Sequence, residues 1–306
     1  MSGGDRLGAG PRSFRLQLLS DLHLESESFD PEPAPGADAL ILAGDIDATW
    51  AGYERFAHWP VPVFAVAGNH ELDGREWLAA WPGLRAMGDR LGIRWLEQEE
   101  AQLQTAGGLK VRLLGCTRWN DFDAFGPSGR AKAARAARHF LVRMRASQGG
   151  APLEAAQVRE LGLANRRWLE TALAERDGSH ATVVVTHFAP SLRCADPRYG
   201  LQPSTASFCN ADDDLMGLAD LWLHGHLHSR HDMILGRPDD PAPTAATPAA
   251  GESIMPRPGI AARTTRVVSG ARGLGQRGES QAYERWPQVI EWLEPLGDPL
   301  ATDSAV

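Results

Sequence analysis

The sequence predicts an α/β fold, because short apolar segments rich in β-branched residues alternate with segments of helical periodicity. A second observation supports this class. Five of the apolar segments are followed directly by Asp, Asn or His side chains, as happens at the carboxyl edge of a sheet that binds a ligand. The length of 306 residues allows one large domain or two small ones.

The predicted elements begin after a polar, Gly-rich leader at residues 1–13, which is expected to be disordered. The strands FRLQLLS, ALILAG and VFAVAG come next, followed by the helix REWLAAWPGLRAMGDRL, which Pro82 is expected to interrupt. AQLQTAG and LKVRLLGC flank Gly107-Gly108 and predict a hairpin. Two further helices are predicted, at roughly 128–146 and 154–176.

The C-terminal part of the chain continues with the predicted strands TVVVT and LWLHG, then HDMILG and TTRVVSG as the two strands of a hairpin. Residues 237–262, between these last two strands, are dominated by Pro, Ala, Gly and Thr and are expected to form a flexible insertion. The tail at 296–306 is expected to fray. Residues 14–295 are therefore predicted to form a single domain.

Composition narrows the function classes. A net charge of −8 argues against general attraction to nucleic acid or to anionic membranes. Three cysteines without a CxxC pair disfavour a disulfide framework or a structural zinc site and suit a reducing cytoplasm. The sequence contains no apolar run of about 18 residues and no secretory signal, so a cytoplasmic protein is expected.

Candidate metal ligands lie in five short clusters, which read DxH, GD, GNHE, a lone H and GHxH. The candidate ligands are Asp21, His23, Asp45, Asn69, His187, His226 and His228. Any one cluster alone would more often be a turn residue or a structural histidine. Together, at one sheet edge, they would form two first-row metal sites that share a carboxylate, which fits two-metal phosphoester hydrolysis. Extended backbone is expected to put the two members of DxH, and of GHxH, on one side.

The order of these clusters closely resembles the calcineurin-like metallophosphoesterase superfamily, and the resemblance runs from about Phe14 to Trp292. The segment GCTRWNDF at 115–122 is similar to one found in a small bacterial branch of that superfamily. The resemblance implies a four-layer α/β/β/α sandwich of two mixed sheets flanked by helices. It also implies hydrolysis of small phosphodiesters or phosphomonoesters by attack of a metal-bound hydroxide.

The resemblance further implies two divalent ions, drawn from Mn, Fe, Zn, Ni or Co, with Mn expected to serve in assays. It assigns Asp21, His23, Asp45 and His228 to the first ion, and Asp45, Asn69, His187 and His226 to the second. His70 is implied to lie near the substrate and, when protonated, to donate to the departing oxygen. Glu71 is expected to orient His70 or to pair with a nearby base. Asp47 and Asp73 receive no role.

Other residues receive weaker predictions. Trp119, at a predicted strand end, is a candidate wall of the substrate pocket, and Arg118 and Arg272 are candidate cationic contacts for the phosphoryl group. His224 does not fit the superfamily pattern and is predicted to be a structural sheet histidine with a local hydrogen bond. The basic helix at 130–145 could bind phosphates, but a solvated helix face is the favoured interpretation.

Alternative functions remain within and outside the enzyme class. Protein Ser/Thr phosphatases of the superfamily carry GDxxDRG and an Arg before GNHE, where this chain has GDIDATW and Ala67. The negative net charge disfavours a nuclease. The presence of all the expected ligands and of His70 disfavours an inactive scaffold. The expected partner is a small phosphoester substrate. Binding to a membrane or to nucleic acid is not expected, and the oligomeric state is left open.

Overall fold

The structure is a computed structural model that describes residues 12–236, 264–285 and 288–293. The predicted insertion at 237–262 and tail at 296–306 lie outside the described residues, as does the leader up to residue 11. The strands are β1 (Ser13–Leu19), β2 (Ala39–Ala43), β3 (Val63–Val66), β4 (Ile93–Trp95), β5 (Glu99–Gln104), β6 (Lys110–Cys116), β7 (Ser147–Gln148), β8 (Ala151–Pro152), β9 (Ala181–Thr186), β10 (Leu221–His224), β11 (His231–Leu235), β12 (Thr265–Ser269) and β13 (Val289–Leu293). The α-helices are α1 (Trp77–Leu91), α2 (Gly126–Met144) and α3 (Ala155–Ala174).

The strands form two large mixed sheets. In the first sheet the order is β13-β1-β2-β3-β4, with β1 to β4 parallel and β13 antiparallel at the edge. In the second sheet the order is β11-β12-β10-β9-β6-β5, where the four central strands are parallel and both edge strands antiparallel. β7 and β8 form a separate small hairpin. The predicted α/β class and both predicted hairpins, β5–β6 and β11–β12, are confirmed.

Side chains of alternate strand residues pack the two sheets back to back. One buried cluster contains Leu16 and Leu18 of β1 and Ile41 of β2, together with Val183 of β9 and Leu221 of β10. Each such side chain contributes about 1.5–3 kcal/mol when it leaves water. Because both faces of the parallel strands are buried, their sequences are apolar almost throughout, which is why they are recognisable in the sequence.

Helices cover the outer faces of both sheets. Leu84 and Met87 of α1 pack with Leu40 and Leu42 on the first sheet. On the second sheet, α2 and α3 pack in one cluster with Val184 and Trp222. This arrangement confirms the four-layer sandwich. In the described ranges, no helix is long and apolar enough to cross a membrane.

The basic helix predicted at 130–145 corresponds to α2. Its buried side consists of Gly129, Ala133, Ala137, Leu141 and Met144. Lys132, Arg135, Arg138 and Arg143 lie on the exposed side. Small residues on the buried side let the helix approach the sheet closely, while the arginines remain in water. The arrangement agrees with a solvated helix face.

The predicted interruption of α1 at Pro82 is wrong, since the helix continues unbroken from Trp77 to Leu91. Pro82 lacks an N–H and therefore leaves the carbonyl of Leu78 without its helical partner. Both Pro82 and Leu78 lie on the exposed side of the helix, where water can bind that carbonyl. The helix therefore tolerates the proline.

Candidate metal centre

The carboxyl ends of β1 and β2 in the first sheet meet those of β9 and β10 in the second. The Asp21 carboxylate accepts the backbone N–H of His226 at 3.0 Å from each oxygen. Nδ1 of His187 lies 2.8 Å from the carbonyl oxygen of Ala43. These bonds join the two sheets at one edge of the sandwich. The loops that carry the candidate ligands are therefore held together by hydrogen bonds between ligand side chains of one sheet and backbone groups of the other.

The backbone at most of these ligands is left-handed. The φ angles are 53° at Asp21, 49° at His23, 54° at Asp45, 70° at His226 and 51° at His228. The prediction that extended backbone aligns each pair of side chains is therefore wrong, because tight turns after the strands do so instead. Such a conformation costs about 1–3 kcal/mol per residue and persists only where its surroundings enforce it. Asp and His tolerate it better than most residues.

The candidate ligands form two neighbouring groups. The metal-binding atoms of Asp21, His23 and His228 lie within 4.8 Å of one another, and so do those of Asp45, His187 and His226. Asp45 also lies in such a group with His23 and His70. The Asp45 carboxylate, 2 % exposed, therefore stands between the two groups. The structure brings together all the acidic and imidazole ligands that the sequence indicated.

Three of the imidazoles are oriented by acceptors at Nδ1. The contacts are His23 to Glu25 at 3.1 Å, His187 to the Ala43 carbonyl at 2.8 Å and His228 to Glu279 at 2.7 Å. A carbonyl or an ionised carboxylate can only accept, so each Nδ1 carries a hydrogen and each Nε2 is the ring atom left to bind a proton or an ion. The Nε2 atoms of His23 and His228 lie 3.1 Å apart. This is the arrangement by which proteins orient metal-binding histidines.

Buried polar atoms at this edge fit divalent cations. Asn69 Oδ1, His187 Nε2 and His226 Nε2 are buried and have no hydrogen-bond partner among the described residues. His187 Nε2 lies 3.2 Å from an oxygen of Asp45. Buried polar atoms without partners are costly, and a cation between them removes that cost. A set of carboxylate, amide and imidazole donors suits first-row divalent ions.

The pKa values of Asp45 and His187 show that this site attracts positive charge. Burial raises the pKa of Asp45, but the charges of His187 and His70 outweigh burial and hold it well below its usual range. Burial lowers the pKa of His187, but the neighbouring Asp45 carboxylate raises it to about 9. The carboxylate thus attracts positive charge, which protons supply in the metal-free protein. A divalent ion would replace these protons, as metal binding does elsewhere.

Glu71 supports the loop of Asp45 and does not orient His70. Its buried carboxylate accepts the backbone N–H groups of Asp45 at 2.9 Å, Ile46 at 2.8 Å and Gly68 at 2.6 Å. It also accepts the Tyr53 hydroxyl at 2.9 Å. The expectation that Glu71 orients His70 is therefore wrong. Glu71 instead fixes the backbone from which the Asp45 side chain projects.

Asp73, which received no role from the sequence, orients His70. Its Oδ2 accepts Nδ1 of His70 at 2.8 Å. His70 begins a short 3₁₀ helix, His70–Leu72, and side chains three residues apart eclipse one another in that geometry. The sequence did carry this signal in the spacing of His70 and Asp73. Recognising it required knowing that the turn is a 3₁₀ helix.

Replacing Glu71 with Gln is expected to lower the free energy of unfolding by about 2–3 kcal/mol, because the amide nitrogen cannot accept N–H groups that remain buried. Tyr53→Phe is the matched control, since it removes one donor from the same carboxylate and leaves the three backbone bonds. It is expected to cost about 1 kcal/mol. Urea unfolding of the metal-free variants measures both. Equal stability of the two variants would contradict the supporting role of Glu71.

The predictions for Arg118 and Trp119 are wrong. Arg118 is fully buried, and its guanidinium donates to both oxygens of Asp212, at 2.9 and 2.7 Å. Trp119 is also fully buried and packs with its ring 5.2 Å from that of Phe188. The segment after β6 passes beneath α3, where Arg118 donates to the Gly162 carbonyl. Neither side chain can therefore contact a substrate.

Phe208, an aromatic residue that the sequence did not indicate, lies at the candidate metal centre. The ring of Phe208 stacks on that of His226 with centroids 5.7 Å apart and remains 41 % exposed. Arg272 lies beside the group that contains Asp21, since its backbone N–H donates to the carbonyl of the neighbouring residue Ser20. Its guanidinium contacts Glu27 at 3.3 Å. Arg272 thus keeps its place among the candidates, with its charge shared by a carboxylate.

Comparison with known proteins agrees with this geometry. The family model described as calcineurin-like phosphoesterase matches residues 12–230. Among solved structures, the chain is similar to a phosphopantetheinyl hydrolase from Mycobacterium tuberculosis, with a TM-score of 0.60 and 20 % identity. That match covers 93 % of this chain and 96 % of the other. At this identity the likeness concerns the fold. No curated protein matches the chain at a significant level.

Proposed function

Since the chain belongs to the calcineurin-like phosphoesterase family, we propose that it is a dinuclear metal-dependent hydrolase of small phosphodiesters or phosphomonoesters. The observation that carries this proposal is the position of Asp45 between two groups of converging metal-binding atoms. Shared carboxylates of this kind hold two cations about 3.5–4 Å apart. Mn is the proposed ion for assays, among the divalent metals that mixed oxygen and nitrogen ligands accept.

The proposed ligand sets follow the two groups. Asp21, His23, Asp45 and His228 would hold one ion, and Asp45, Asn69, His187 and His226 the other. The unpartnered Oδ1 of Asn69 supports its inclusion. When bound, the two ions would supply Lewis-acid polarisation of the phosphoryl group and an activated water. The protein itself supplies a rigid frame, in which acceptors at Nδ1 fix the rings of three of the four proposed histidine ligands.

His70 is the proposed general acid. Its side chain is 34 % exposed at the edge of the centre, and its Nδ1 is held by Asp73. The backbone N–H of His70 donates to Asp45 at 2.8 Å, so the residue is tied to the proposed bridging carboxylate. With Nδ1 occupied, Nε2 is the atom available to donate a proton to the departing oxygen.

Several observations favour a small substrate. Phe208 offers an exposed aromatic face beside His226, suited to stacking against an apolar part of the leaving group. The net charge of −8 opposes nucleic acid as substrate. The protein phosphatase alternative loses further support, because Arg118 is buried in its ion pairs with Asp212. The three free cysteines, all buried, are compatible with the proposed cytoplasmic location.

Phosphodiesters are expected to be hydrolysed at least as efficiently as phosphomonoesters. A monoester dianion needs cationic contacts beyond the two ions, and the charge of the remaining candidate, Arg272, is already shared with Glu27. Comparison of kcat/KM for bis-p-nitrophenyl phosphate and p-nitrophenyl phosphate with Mn²⁺ tests this expectation. Absence of activity towards both esters would contradict the proposed function itself.

The variant Arg272→Met gives this comparison its control. If Arg272 does not bind the phosphoryl group, the variant leaves the ratio of the two kcat/KM values unchanged. A monoester preference of about a hundredfold, near 2.7 kcal/mol of transition-state discrimination, would overturn the diester expectation. Loss of that preference in Arg272→Met would then identify Arg272 as the cationic contact.

A further inference from the structure

A second cluster of metal-binding side chains lies outside the two groups around Asp45. The sulfur of Cys194 and ring nitrogens of His224 and His231 lie within 4.8 Å of one another. Cys194 and His224 are buried, at 2 % and 0 % exposed, and His231 is half-buried. The three residues come from separate elements: a 3₁₀ helix at Leu192–Cys194, the end of β10 and the start of β11.

Hydrogen bonding defines which ring nitrogen of His224 can accept. Its Nδ1 lies 2.9 Å from the carbonyl oxygen of Gly225, which can only accept, so Nδ1 carries the hydrogen and Nε2 keeps its lone pair. This bond is the local one expected of a structural sheet histidine. The Nε2 atom, however, accepts a hydrogen bond from Nε2 of His231 at 2.9 Å, and a cation that replaces the His231 proton would meet the lone pairs of both rings.

A similar pair of imidazoles occurs in the candidate metal centre. There, His23 and His228 bring their Nε2 atoms to 3.1 Å, and both have Nδ1 held by an acceptor, as His224 has in the second cluster. In the second cluster a thiol stands beside the paired imidazoles. Two imidazoles and a thiol whose donor atoms lie within 4.8 Å of one another, two of the three residues being buried, are a donor set that suits a transition metal.

We propose that Cys194, His224 and His231 bind a third divalent cation, of the zinc type, through one thiolate and two Nε2 atoms. Thiolate with imidazole selects zinc over the manganese or magnesium that oxygen-rich sites accept. Binding forms a sulfur–metal bond and releases the thiol proton to solvent, with no change in oxidation state. The fourth position is left to water, which can reach the cluster at half-buried His231.

The position of this cluster indicates a supporting role. His224 and His231 stand at the two ends of the turn that carries His226 and His228. The backbone at both of those ligands is left-handed, with φ of 70° and 51°, so the turn needs support from its surroundings. A cation held at both ends would fix the turn. It would also attach the turn to the segment of Cys194.

The sequence disfavoured a structural zinc site, because its cysteines do not form a CxxC pair. The structure shows why that rule does not apply here. The proposed ligands are separated by up to 37 positions along the chain (194 to 231). The pairing of β10 and β11 with β12 brings His224 and His231 together, and Cys194 joins them from a separate 3₁₀ helix. Spacing in the sequence therefore carries no trace of this cluster.

Cobalt titration of the full-length, reduced, metal-free protein tests the proposal. The ligands proposed around Asp45 are all oxygen and nitrogen, so a thiolate-to-cobalt charge-transfer band in the near ultraviolet can arise only from a cysteine site. The wild-type protein is expected to show this band, and about one equivalent of Zn²⁺ should remove it. Cys194→Ser and His231→Phe should both lack it. Cys116→Ser, a buried cysteine at the end of β6, should retain it.

The variant Asp45→Asn separates this test from the proposed function, because loss of the dinuclear ions should leave the charge-transfer band intact. Absence of the band in wild-type protein with all three thiols reduced would overturn the proposal. So would a band that persists in Cys194→Ser or in His231→Phe. His231 is half-buried, so its replacement keeps the test valid even where Cys194→Ser does not fold. Failure of Zn²⁺ to displace cobalt would overturn the zinc assignment.

Discussion

Replacing Asp45 with Asn is expected to empty both metal positions and to lower turnover at least about a thousandfold. The Asp45 carboxylate stands between the two groups of metal-binding atoms and is the only anion common to both proposed ligand sets. The substitution removes the one negatively charged ligand that both ions would share. Lewis-acid stabilisation is worth several kcal/mol, and about 4 kcal/mol corresponds to a thousandfold in rate.

Metal counting on the purified variant, together with the rate of ester hydrolysis, measures this result. The fold should survive, because an asparagine oxygen can still accept the backbone N–H of His70 that Asp45 accepts at 2.8 Å. The backbone bonds from the Asp45 loop to Glu71 do not involve the replaced side chain.

Asp47→Asn is the matched control for this prediction. Asp47 is equally buried, at 3 % exposed, and lies two residues further along the same loop. Its oxygens accept the backbone N–H groups of Thr49 and Gly52, so it caps the turn and does not belong to either group. The Asp47→Asn variant should retain both ions of the proposed dinuclear centre. Retention of both of these ions in Asp45→Asn, or their equal loss in the two variants, would contradict the bridging role of Asp45.

The fold and the ligands at its edge were predictable from the sequence for a physical reason. Parallel strands buried on both faces are apolar throughout, so polar residues directly after them stand out, as Asp21 and His187 do. The carboxyl ends of such strands meet at one edge. The position of the candidate centre therefore follows from the strand pattern, and the order of its residues identifies the family.

The residues around those ligands were not predictable in the same way. Arg118 and Trp119 follow a strand as Asp21 does, but α3 covers their segment and turns both side chains into the interior. Glu279 contacts His228 from 51 positions away in the chain. Contacts of this kind depend on how loops pack together, and a local pattern does not encode them. The left-handed backbone at the ligands escapes prediction for the same reason.

The second prediction with a large expected effect concerns His70, the proposed general acid. Replacement with Gln is expected to lower turnover about 10²–10⁴-fold, the usual contribution of a general acid, while the metal content stays unchanged. The loss should be greatest for alkyl esters and smallest for nitrophenyl esters, because nitrophenolate leaves without needing a proton. Rates for both ester types, with metal counts on the same preparations, measure it. Equal losses for the two types would show that His70 does not act as the acid.

The pH dependence of kcat/KM provides an independent check on this role. Burial lowers the pKa of His70, but Asp45 and the hydrogen bond to Asp73 raise it to about 10 in the metal-free protein. Bound divalent ions, being positive, would bring the pKa down from that value. An acid must be protonated, so activity should fall as the pH rises through the pKa of His70. Asp73→Asn removes a charge that raises this pKa, so the alkaline limb should move to lower pH. In His70→Gln that limb should disappear. The Asp73→Asn substitution must change the pKa of His70, because it removes a negative charge next to the ring. If the alkaline limb does not move in this variant, a group other than His70 sets the limb.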